Sequence, residues 1–335
     1  MSKTFTVAVI GAASLVGEAL IELLAEREFP VSEFYPLDQE DEAGGRIEFD
    51  QRQNLIGDVA NFDFKKVDIV FFVSEPSVSE KYVPQAVEAG CTVIDRTSIF
   101  RNEATTPLVV SGVNDDTILD SKLIASPCCI TIEIAKVLKP IHDRVGIKSI
   151  SVSTYQAVSG AGKAGLEEVG LQTAALLNFK EIKNRVFPHQ IAFNVIPQIG
   201  AFEESGFSRE EMKIIQETKK VLADDTICID ATAVRVPVFY GHSISLSIQT
   251  RQTIADIDIN EMLHNQNGVE VTDADDFNEY PTPVSDAAGQ EAIFVGRIRK
   301  HVDNSDGLSL WVCADNVRAC AASNVLEIAE ILINR

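Results

Sequence analysis

The chain has 335 residues, of which 45% are hydrophobic and 24% are charged. This length allows two domains with full hydrophobic cores, and the composition is that of a globular enzyme. The formal net charge of −21 disfavours nucleic acid, whose phosphates it would repel, and it leaves no basic face for a membrane of anionic lipid.

The first 125 residues alternate apolar, strand-like runs with helical patterns. Strands are predicted at residues 6–10, 33–37, 67–73, 92–95, 109–110 and 123–125, and helices at residues 15–25 and 82–89. The run 67–73 is apolar except for Asp68, as expected for a strand buried on both faces of a parallel sheet. The alternation predicts an α/β fold for residues 1–128, with a Rossmann-like doubly wound parallel sheet.

A glycine-containing turn joins the first predicted strand to the first predicted helix. Its residues are Gly11, Ala12, Ala13, Ser14, Leu15, Val16 and Gly17. Dinucleotides bind in this context because pyrophosphate is attracted to a helix N-terminus and glycine lets it approach the backbone. Ser14 stands where a second glycine is usual. The apolar period changes at Gly11, and Glu18 and Glu22 interrupt the apolar stretch from Phe5 to Leu24, so we expect no signal peptide and a cytoplasmic protein.

Ser126 and Pro127 predict the start of a helix whose apolar spacing continues until Pro140 ends it. Cys128 and Cys129 would then lie in its first turn, where the helix dipole and unpaired N–H groups favour negative charge. A thiol there ionises more readily, and a thiolate is the nucleophile that covalent catalysis at a carbonyl requires. The alternative is a pair of small, buried and inert cysteines.

A different pattern begins near residue 147, where longer β-rich runs appear. Strands are predicted at residues 147–154, 226–238 and 243–250, and helices at residues 165–177 and 209–221. This pattern predicts an α+β domain over residues 129–314 with a mostly antiparallel sheet. Residues 316–332 have helical apolar spacing, and we expect a C-terminal helix within residues 315–335 to join the first domain.

No metal site or disulfide is expected. The six cysteines are Cys91, Cys128, Cys129, Cys228, Cys313 and Cys320. Their spacing fits no zinc pattern, and reduced thiols in the cytoplasm are the simplest interpretation. The acidic cluster Asp273, Asp275 and Asp276 lacks the central glycine and the distal glutamate of a calcium loop, which predicts a solvated loop instead.

Eight segments, in order along the chain, resemble the aspartate-semialdehyde dehydrogenase family. They are GAASLVG (11–17), IDRTSIFR (94–101), SPCCIT (126–131), STYQAVSGAGKAG (153–165), AFNVIPQIG (192–200), EEMKIIQETKK (210–220), RVPVFYGHS (235–243) and FVGRIR (294–299). The N-acetyl-glutamyl-phosphate reductases share this chemistry, but the fourth and seventh segments favour the first family.

The resemblance implies reversible reductive dephosphorylation of β-aspartyl phosphate to aspartate semialdehyde through a cysteine thioester. NADP is the coenzyme expected from the family, and the reaction belongs to biosynthesis of the aspartate-family amino acids. The expected partners are the small-molecule substrate, phosphate and a second copy of the chain, in a homodimer formed through the second domain.

The resemblance also assigns roles to seven residues. Cys129 matches the nucleophile, His242 the general acid/base and Gln156 the residue that orients the reacting centre. The substrate-binding positions are Arg101 and Lys213 for phosphate, Arg235 for the α-carboxylate and Glu210 for the ammonium group. Glu210 and Lys213 could instead be an ordinary i,i+3 surface pair. Arg235, among apolar strand residues, needs an anionic partner in any interpretation.

Departures from the family pattern cluster among the expected coenzyme contacts. These contacts are Gly11, Ala13, Ser14, Leu15, Val16, Gly17, Asp38, Ser74, Ser159, Gly160 and Asn316. The departures are Ser14, Glu75-Pro76, Cys128, Cys320 and the acidic segment from Asp38 to Glu42. An acidic residue after the second strand suits the ribose hydroxyls of NAD, so NAD is a possible coenzyme. The alternative hypothesis is a non-catalytic paralogue that acts as a binding or assembly partner.

Overall fold

A computed structural model describes residues 3–272 and 278–334, and the cluster Asp273, Asp275 and Asp276 lies outside the described residues. The chain divides into two compact units, one formed by Met1–Cys128 with Ala321–Arg335 and the other by Cys129–Cys320. Within the described ranges, no helix combines the length and the apolar character needed to cross a membrane.

The first unit contains a six-stranded sheet, a small hairpin and helices. Its elements are β1 (Phe5–Ile10), α1 (Leu15–Glu26), β2 (Val31–Asp38), β3 (Arg46–Phe49), β4 (Arg52–Leu55), β5 (Gly57–Asp58), β6 (Ile69–Phe72), α2 (Pro76–Glu88), β7 (Thr92–Asp95), β8 (Leu123–Ala125) and the C-terminal helix α7 (Ser323–Ile333). The sheet has the order β5-β2-β1-β6-β7-β8 and all its pairs are parallel. This arrangement confirms the predicted Rossmann-like sheet.

The strand order places β1 between β2 and β6, where the sheet begins to grow in the opposite direction. In open α/β sheets such a switch point leaves a crevice beyond the carboxyl ends of the strands, and ligands bind there. The glycine turn predicted to bind a dinucleotide follows β1 directly and therefore lies at this crevice.

The strand predicted at residues 109–110 is wrong. Pairing there is limited to an isolated bridge between Leu108 and Ala125 and the bond from Val109 N to the Ala125 carbonyl. The Asn114 side chain accepts the Val110 N–H at 2.9 Å, so this donor is not available to extend a ladder.

The C-terminal helix α7 is fastened to α1 within the first unit. Arg27, at the end of α1, donates to the Ser323 hydroxyl at 2.6 Å and forms ion pairs with Glu330 at 3.2 Å and Glu327 at 3.6 Å. The apolar face of α7 is buried, so packing and polar contacts together hold this segment.

The second unit is a mixed sheet with helices. Its elements are α3 (Cys129–Val145), β9 (Ile147–Gln156), α4 (Gly162–Leu177), α5 (Arg209–Leu222), β10 (Cys228–Arg235), β11 (His242–Thr250), α6 (Ile259–His264), β12 (Val269–Val271), β13 (Ile293–His301), β14 (Asn304–Ala314) and a π-helical segment (Asn316–Ala322), of which residues 316–320 belong to this unit. The strand order is β10-β9-β11-β14-β13-β12, with the two outer pairs parallel and the three inner pairs antiparallel. The expected α+β fold is confirmed.

Helix α3 differs from its prediction at both ends. It begins at Cys129, so Cys128 precedes the helix instead of lying in its first turn. It also continues through Pro140 to Val145. Ile141 and Val145 are buried beyond the proline, and the packing of this apolar side outweighs the backbone hydrogen bond that Pro140 cannot form.

Candidate active site

Cys129 opens α3 and is the more accessible of the two adjacent cysteines. Its thiol donates to the backbone carbonyl of Asn316 at 3.1 Å. The side chain is half-buried, whereas Cys128 is buried. A sulfur at the positive end of a 17-residue helix, reachable from solvent, is well placed to act as a nucleophile.

Three strand ends bring polar side chains together. Gln156 ends β9 and Arg235 ends β10, and the two residues are register partners in the parallel pair. His242 begins β11, whose next residue, Ser243, pairs with Tyr155 of β9. The sheet register therefore places all three predicted site residues at one edge.

His242 is buried at the start of β11, and its hydrogen bonding selects one tautomer. The ring Nδ1 accepts the Ala157 N–H at 3.1 Å, so a neutral ring carries its hydrogen on Nε2. Burial, and then the charge of Arg235, hold the pKa of His242 well below its usual range. At neutral pH this imidazole is a neutral Nε2–H donor, which favours the acid half of the predicted acid/base role.

Arg235 is buried, with only 6% of its surface exposed, and its guanidinium is held in place by contacts with the backbone. Its Nη1 donates to the Ala157 carbonyl at 2.6 Å, and a Cβ at Gly160 would lie 2.7 Å from the same nitrogen. Burial lowers the pKa of Arg235 to about 10, while the nearby charges of Glu210 and Cys129 act in the opposite direction. The guanidinium therefore stays charged at neutral pH and can bind a carboxylate with two hydrogen bonds.

Glu210, near the start of α5, contacts one neutral and one positively charged side chain. Its carboxylate accepts from Gln156 Nε2 at 3.4 Å and pairs with Lys213 Nζ at 3.5 Å. The i,i+3 pair considered from the sequence thus exists, and it forms part of the cluster. A carboxylate beside an arginine complements the ammonium and carboxylate of an α-amino acid.

Arg101 belongs to the first unit, in the turn region after β7. It is buried, and its Nη2 donates to the backbone carbonyl of Arg96. The other six predicted catalytic and substrate-binding residues all belong to the second unit.

The glycine turn of the first unit has the shape that a dinucleotide needs. Gly11 has φ +92°, and a Cβ there would lie 2.8 Å from Ser74 atoms. A Cβ on Gly17 would lie 2.1 Å from the Gly11 carbonyl. Ser14 caps α1 by accepting the Gly17 N–H at 2.9 Å, so it supports the turn in place of the usual glycine. With Leu15 and Val16 opening α1, these residues fit the coenzyme's pyrophosphate.

Asp38 closes the same turn from the end of β2. Its carboxylate accepts the Ala13 N–H at 3.0 Å and the Gln39 N–H at 2.9 Å, and its side chain is buried. Ser74 follows the carboxyl end of β6, the strand on the other side of β1, and lies beside Gly11. Both residues are thus at the carboxyl edge where a dinucleotide's ribose would lie.

Asn316 has a wider role than the coenzyme contact predicted for it. Its backbone carbonyl accepts the Cys129 thiol, while its side-chain Oδ1 accepts from Ser159 Oγ at 3.0 Å and Gly241 N at 3.1 Å. Sequence reasoning also missed Ala157, whose N–H and carbonyl serve His242 and Arg235. The contacts of Ala157, and that of Asn316 with Cys129, use backbone atoms, which no residue pattern reveals.

Among residues 3–272 and 278–334, no group of three or more His, Cys, Asp or Glu side chains could hold a metal ion.

The chain is similar to known semialdehyde dehydrogenases over its whole length. Residues 6–121 match the semialdehyde dehydrogenase NAD binding domain, and residues 138–319 match the semialdehyde dehydrogenase dimerisation domain. The chain is 45% identical to the aspartate-semialdehyde dehydrogenase of Shewanella violacea over 336 aligned residues, which cover 99% of each protein. It is 44% identical to the enzyme of Legionella pneumophila, with coverage of 99% and 96%.

Solved structures give the same result. The crystal structure of aspartate semialdehyde dehydrogenase II from Vibrio cholerae has a TM-score of 0.96 and 44% identity, with 99% of each chain covered. The same protein complexed with ASA has a TM-score of 0.96 at 43% identity and the same coverage. Nothing in these relatives supports the non-catalytic alternative.

Proposed function

Since the chain belongs to the aspartate-semialdehyde dehydrogenase family, we propose that the cluster around Cys129 is its active site. The chain is an oxidoreductase that interconverts β-aspartyl phosphate and aspartate semialdehyde, with NADP or NAD as coenzyme. This reaction belongs to the biosynthesis of the aspartate-family amino acids. The observation that supports the assignment best is the half-buried thiol at the start of α3, in the unit where Arg235 ends β10 and His242 begins β11.

The covalent steps follow from the chemistry of Cys129. Its thiolate attacks the acyl carbon of β-aspartyl phosphate, a C–S bond forms, and the bond to the phosphate oxygen breaks with release of phosphate. The coenzyme, when bound, supplies the hydride that reduces the resulting thioester. His242 donates a hydrogen bond from Nε2 to the oxygen on which negative charge develops and keeps its proton. Cleavage of the C–S bond then releases the aldehyde and returns the thiolate.

The substrate's charged groups match two side chains of the second unit. Arg235 binds the α-carboxylate and Glu210 the ammonium group, while Gln156, which donates to Glu210, positions the reacting centre between them. Lys213 and Arg101 are the phosphate-binding positions. Both cations at these positions suit a phosphate dianion within a chain of net charge −21.

The test of this function is an assay of aspartate semialdehyde oxidation, followed by the absorbance of the reduced coenzyme. We expect turnover that requires phosphate, because phosphate must cleave the acyl thioester in this direction. NAD and NADP are run separately. A folded protein that turns over with neither coenzyme would contradict the proposal.

Arg235→Lys should raise the KM for aspartate semialdehyde about tenfold or more, with a smaller change in kcat. An ammonium group cannot reproduce the two parallel hydrogen bonds of the guanidinium, and one charged hydrogen bond contributes roughly 1.5–3 kcal/mol. Arg209→Lys, an exposed change at the start of α5, is the matched control and should leave KM unchanged. Equal KM values for both variants would show that Arg235 does not bind the substrate.

We also propose that the chain forms a homodimer through the second unit, because residues 138–319 match the dimerisation domain of semialdehyde dehydrogenases. Twelve of the fourteen large hydrophobic side chains that are exposed in the described residues belong to this unit. Phe179 and Phe193, 99% and 67% exposed, also have left-handed backbones with φ of 56° and 58°. Apolar rings presented at this conformational cost are typical of an interaction surface.

Light scattering after gel filtration should give twice the chain mass for the protein and one chain mass for Phe179→Asp/Phe193→Asp. Aspartates at a buried subunit interface would be desolvated without partners. Leu119→Asp, at an exposed position of the first unit, is the control and should remain a dimer. A double variant that stays dimeric would place the interface elsewhere.

A further inference from the structure

Two hydrogen bonds join α3 to the π-helical segment Asn316–Ala322 inside the second unit. The Cys129 thiol donates to the Asn316 carbonyl at 3.1 Å, and the Cys320 thiol donates to Glu133 Oε1 at 3.5 Å. The partners are four residues apart in both segments, so the second contact lies about one helical turn beyond the first. Neither Glu133 nor Cys320 has a role in the mechanism above.

Glu133 is an unusual residue at this place because it has no exposed surface. Its Oε2 has no hydrogen-bond partner among the described residues. Burial raises the pKa of Glu133 well above its usual range, the Cys320 hydrogen bond opposes this shift, and Asp315 adds to it. Burial therefore favours the neutral form of this carboxyl group. A buried, half-satisfied acid destabilises a fold relative to an apolar side chain of similar size.

Hydrogen bonds to Asp315 fix the beginning of the π-helical segment and place Cys320 at the end of its first turn. The Asp315 side chain accepts the Val317 and Arg318 N–H groups at 2.8 and 2.9 Å. The Cys320 N–H donates to the Asp315 carbonyl at 3.1 Å, which closes the i→i+5 turn. Any change in the distance between Cys320 and α3 would thus be transmitted to Asn316, only one wide turn away.

We propose that Glu133 and Cys320 are positioning residues for the nucleophile. Their contact fixes the spacing between α3 and the π-helical segment, and this spacing holds the Asn316 carbonyl against the Cys129 thiol. The inference rests on the proposed role of Cys129 as the nucleophile. It explains why a destabilising acid lies one turn beyond that cysteine, on the side of α3 that faces the π-helical segment.

The test compares Glu133→Leu with Glu133→Gln. Leucine removes the acceptor for Cys320 but suits the apolar surroundings, so we expect a more stable protein with kcat lowered about tenfold and KM unchanged. Small misplacements of reacting groups cost at least this much. Glutamine keeps a neutral side chain with an acceptor oxygen and should restore kcat. A merely structural role would lower activity only together with stability.

A second readout does not depend on turnover. Alkylation of Cys129 by iodoacetamide, followed by mass spectrometry of its peptide, reports the ionisation of the thiol as a function of pH. The Asn316 carbonyl accepts the S–H hydrogen and so favours the protonated thiol. In Glu133→Leu the thiol loses this acceptor, so the midpoint of the alkylation curve should move to lower pH. It should stay in place in Glu133→Gln. If turnover is absent but this shift occurs, the function fails while the positioning role stands.

Cys320→Ala removes the same contact from the other side. It should reproduce the loss of kcat and the alkylation shift, and Glu133→Leu/Cys320→Ala should be no worse than either single variant. The raised pKa of Glu133 has its own check: Glu133→Gln should gain stability over the parent chain as pH rises above 4.5, the ordinary glutamate value, because unfolding then releases the Glu133 proton. Wild-type kcat and alkylation in Glu133→Leu, or losses that multiply in the double variant, would overturn the inference.

Discussion

We expect Cys129→Ser to abolish the phosphate-dependent oxidation of aspartate semialdehyde, with a loss of at least about 10³-fold in kcat, because the nucleophile is removed. A serine hydroxyl is nearly the same size and can still donate to the Asn316 carbonyl, so the helix start is preserved. It ionises far less readily than a thiol and is a poor nucleophile without an adjacent base. The absorbance of the reduced coenzyme measures the loss, and circular dichroism verifies the fold.

Cys128→Ser is the matched control for this experiment. Cys128 is adjacent in sequence, but it is buried and precedes α3, so the serine variant should keep most of the activity. Incubation with aspartate semialdehyde and coenzyme in the absence of phosphate should leave an acyl adduct on the peptide that contains Cys129. An adduct on Cys128, or an active Cys129→Ser enzyme, would show that Cys129 is not the nucleophile.

The fold was predictable where local pattern and burial agree. The fully buried strand β6 and the glycine turn after β1 have sequence signatures that need no tertiary information. The prediction failed at Pro140, where tertiary packing of Ile141 and Val145 overrides a local helix breaker. It also failed at residues 109–110, where the Asn114 side chain accepts the Val110 N–H that a strand would donate to its neighbour.

The sequence predicts the side chains of the candidate site but not the hydrogen-bond network in which the structure places them. The pairing of Gln156 with Arg235 depends on the register between β9 and β10, which the sequence does not state. The contact of Asn316 with Cys129 and the contact of Ala157 with His242 are made by backbone atoms of Asn316 and Ala157. The Glu133–Cys320 contact joins residues 187 positions apart, so the spacing of Glu133 from Cys129 alone could not reveal it.

Coenzyme choice depends on the end of β2 in the first unit. The chain from residue 28 to residue 45 contains no lysine or arginine, while Glu40, Asp41 and Glu42 are exposed directly after the buried Asp38. Each Asp38 oxygen accepts one N–H and keeps a second lone pair, which a ribose hydroxyl can use. The 2′-phosphate of NADP carries about two negative charges, and the residues that follow Asp38 offer it three carboxylates and no lysine or arginine.

We therefore expect calorimetry to show that the free enzyme binds NAD about 10- to 100-fold more tightly than NADP. Unit charges about 4 Å apart in water repel with roughly 1 kcal/mol, and a factor of ten in affinity corresponds to about 1.4 kcal/mol. Several acidic side chains near one phosphate thus suffice. Higher salt concentration should reduce the difference, because exposed charges are screened.

Glu40→Gln/Asp41→Asn/Glu42→Gln should lose most of this discrimination by improving the binding of NADP, with little effect on NAD. Asp38 is left intact because it also holds the glycine turn through the Ala13 N–H. Glu88→Gln is the control: Glu88 ends α2, just before β7 begins, at the opposite edge of the sheet, and its charge should not affect the choice. Tighter binding of NADP than NAD by the unmodified enzyme would mean that cations outside this segment neutralise the phosphate. The acidic end of β2 would then not determine the coenzyme.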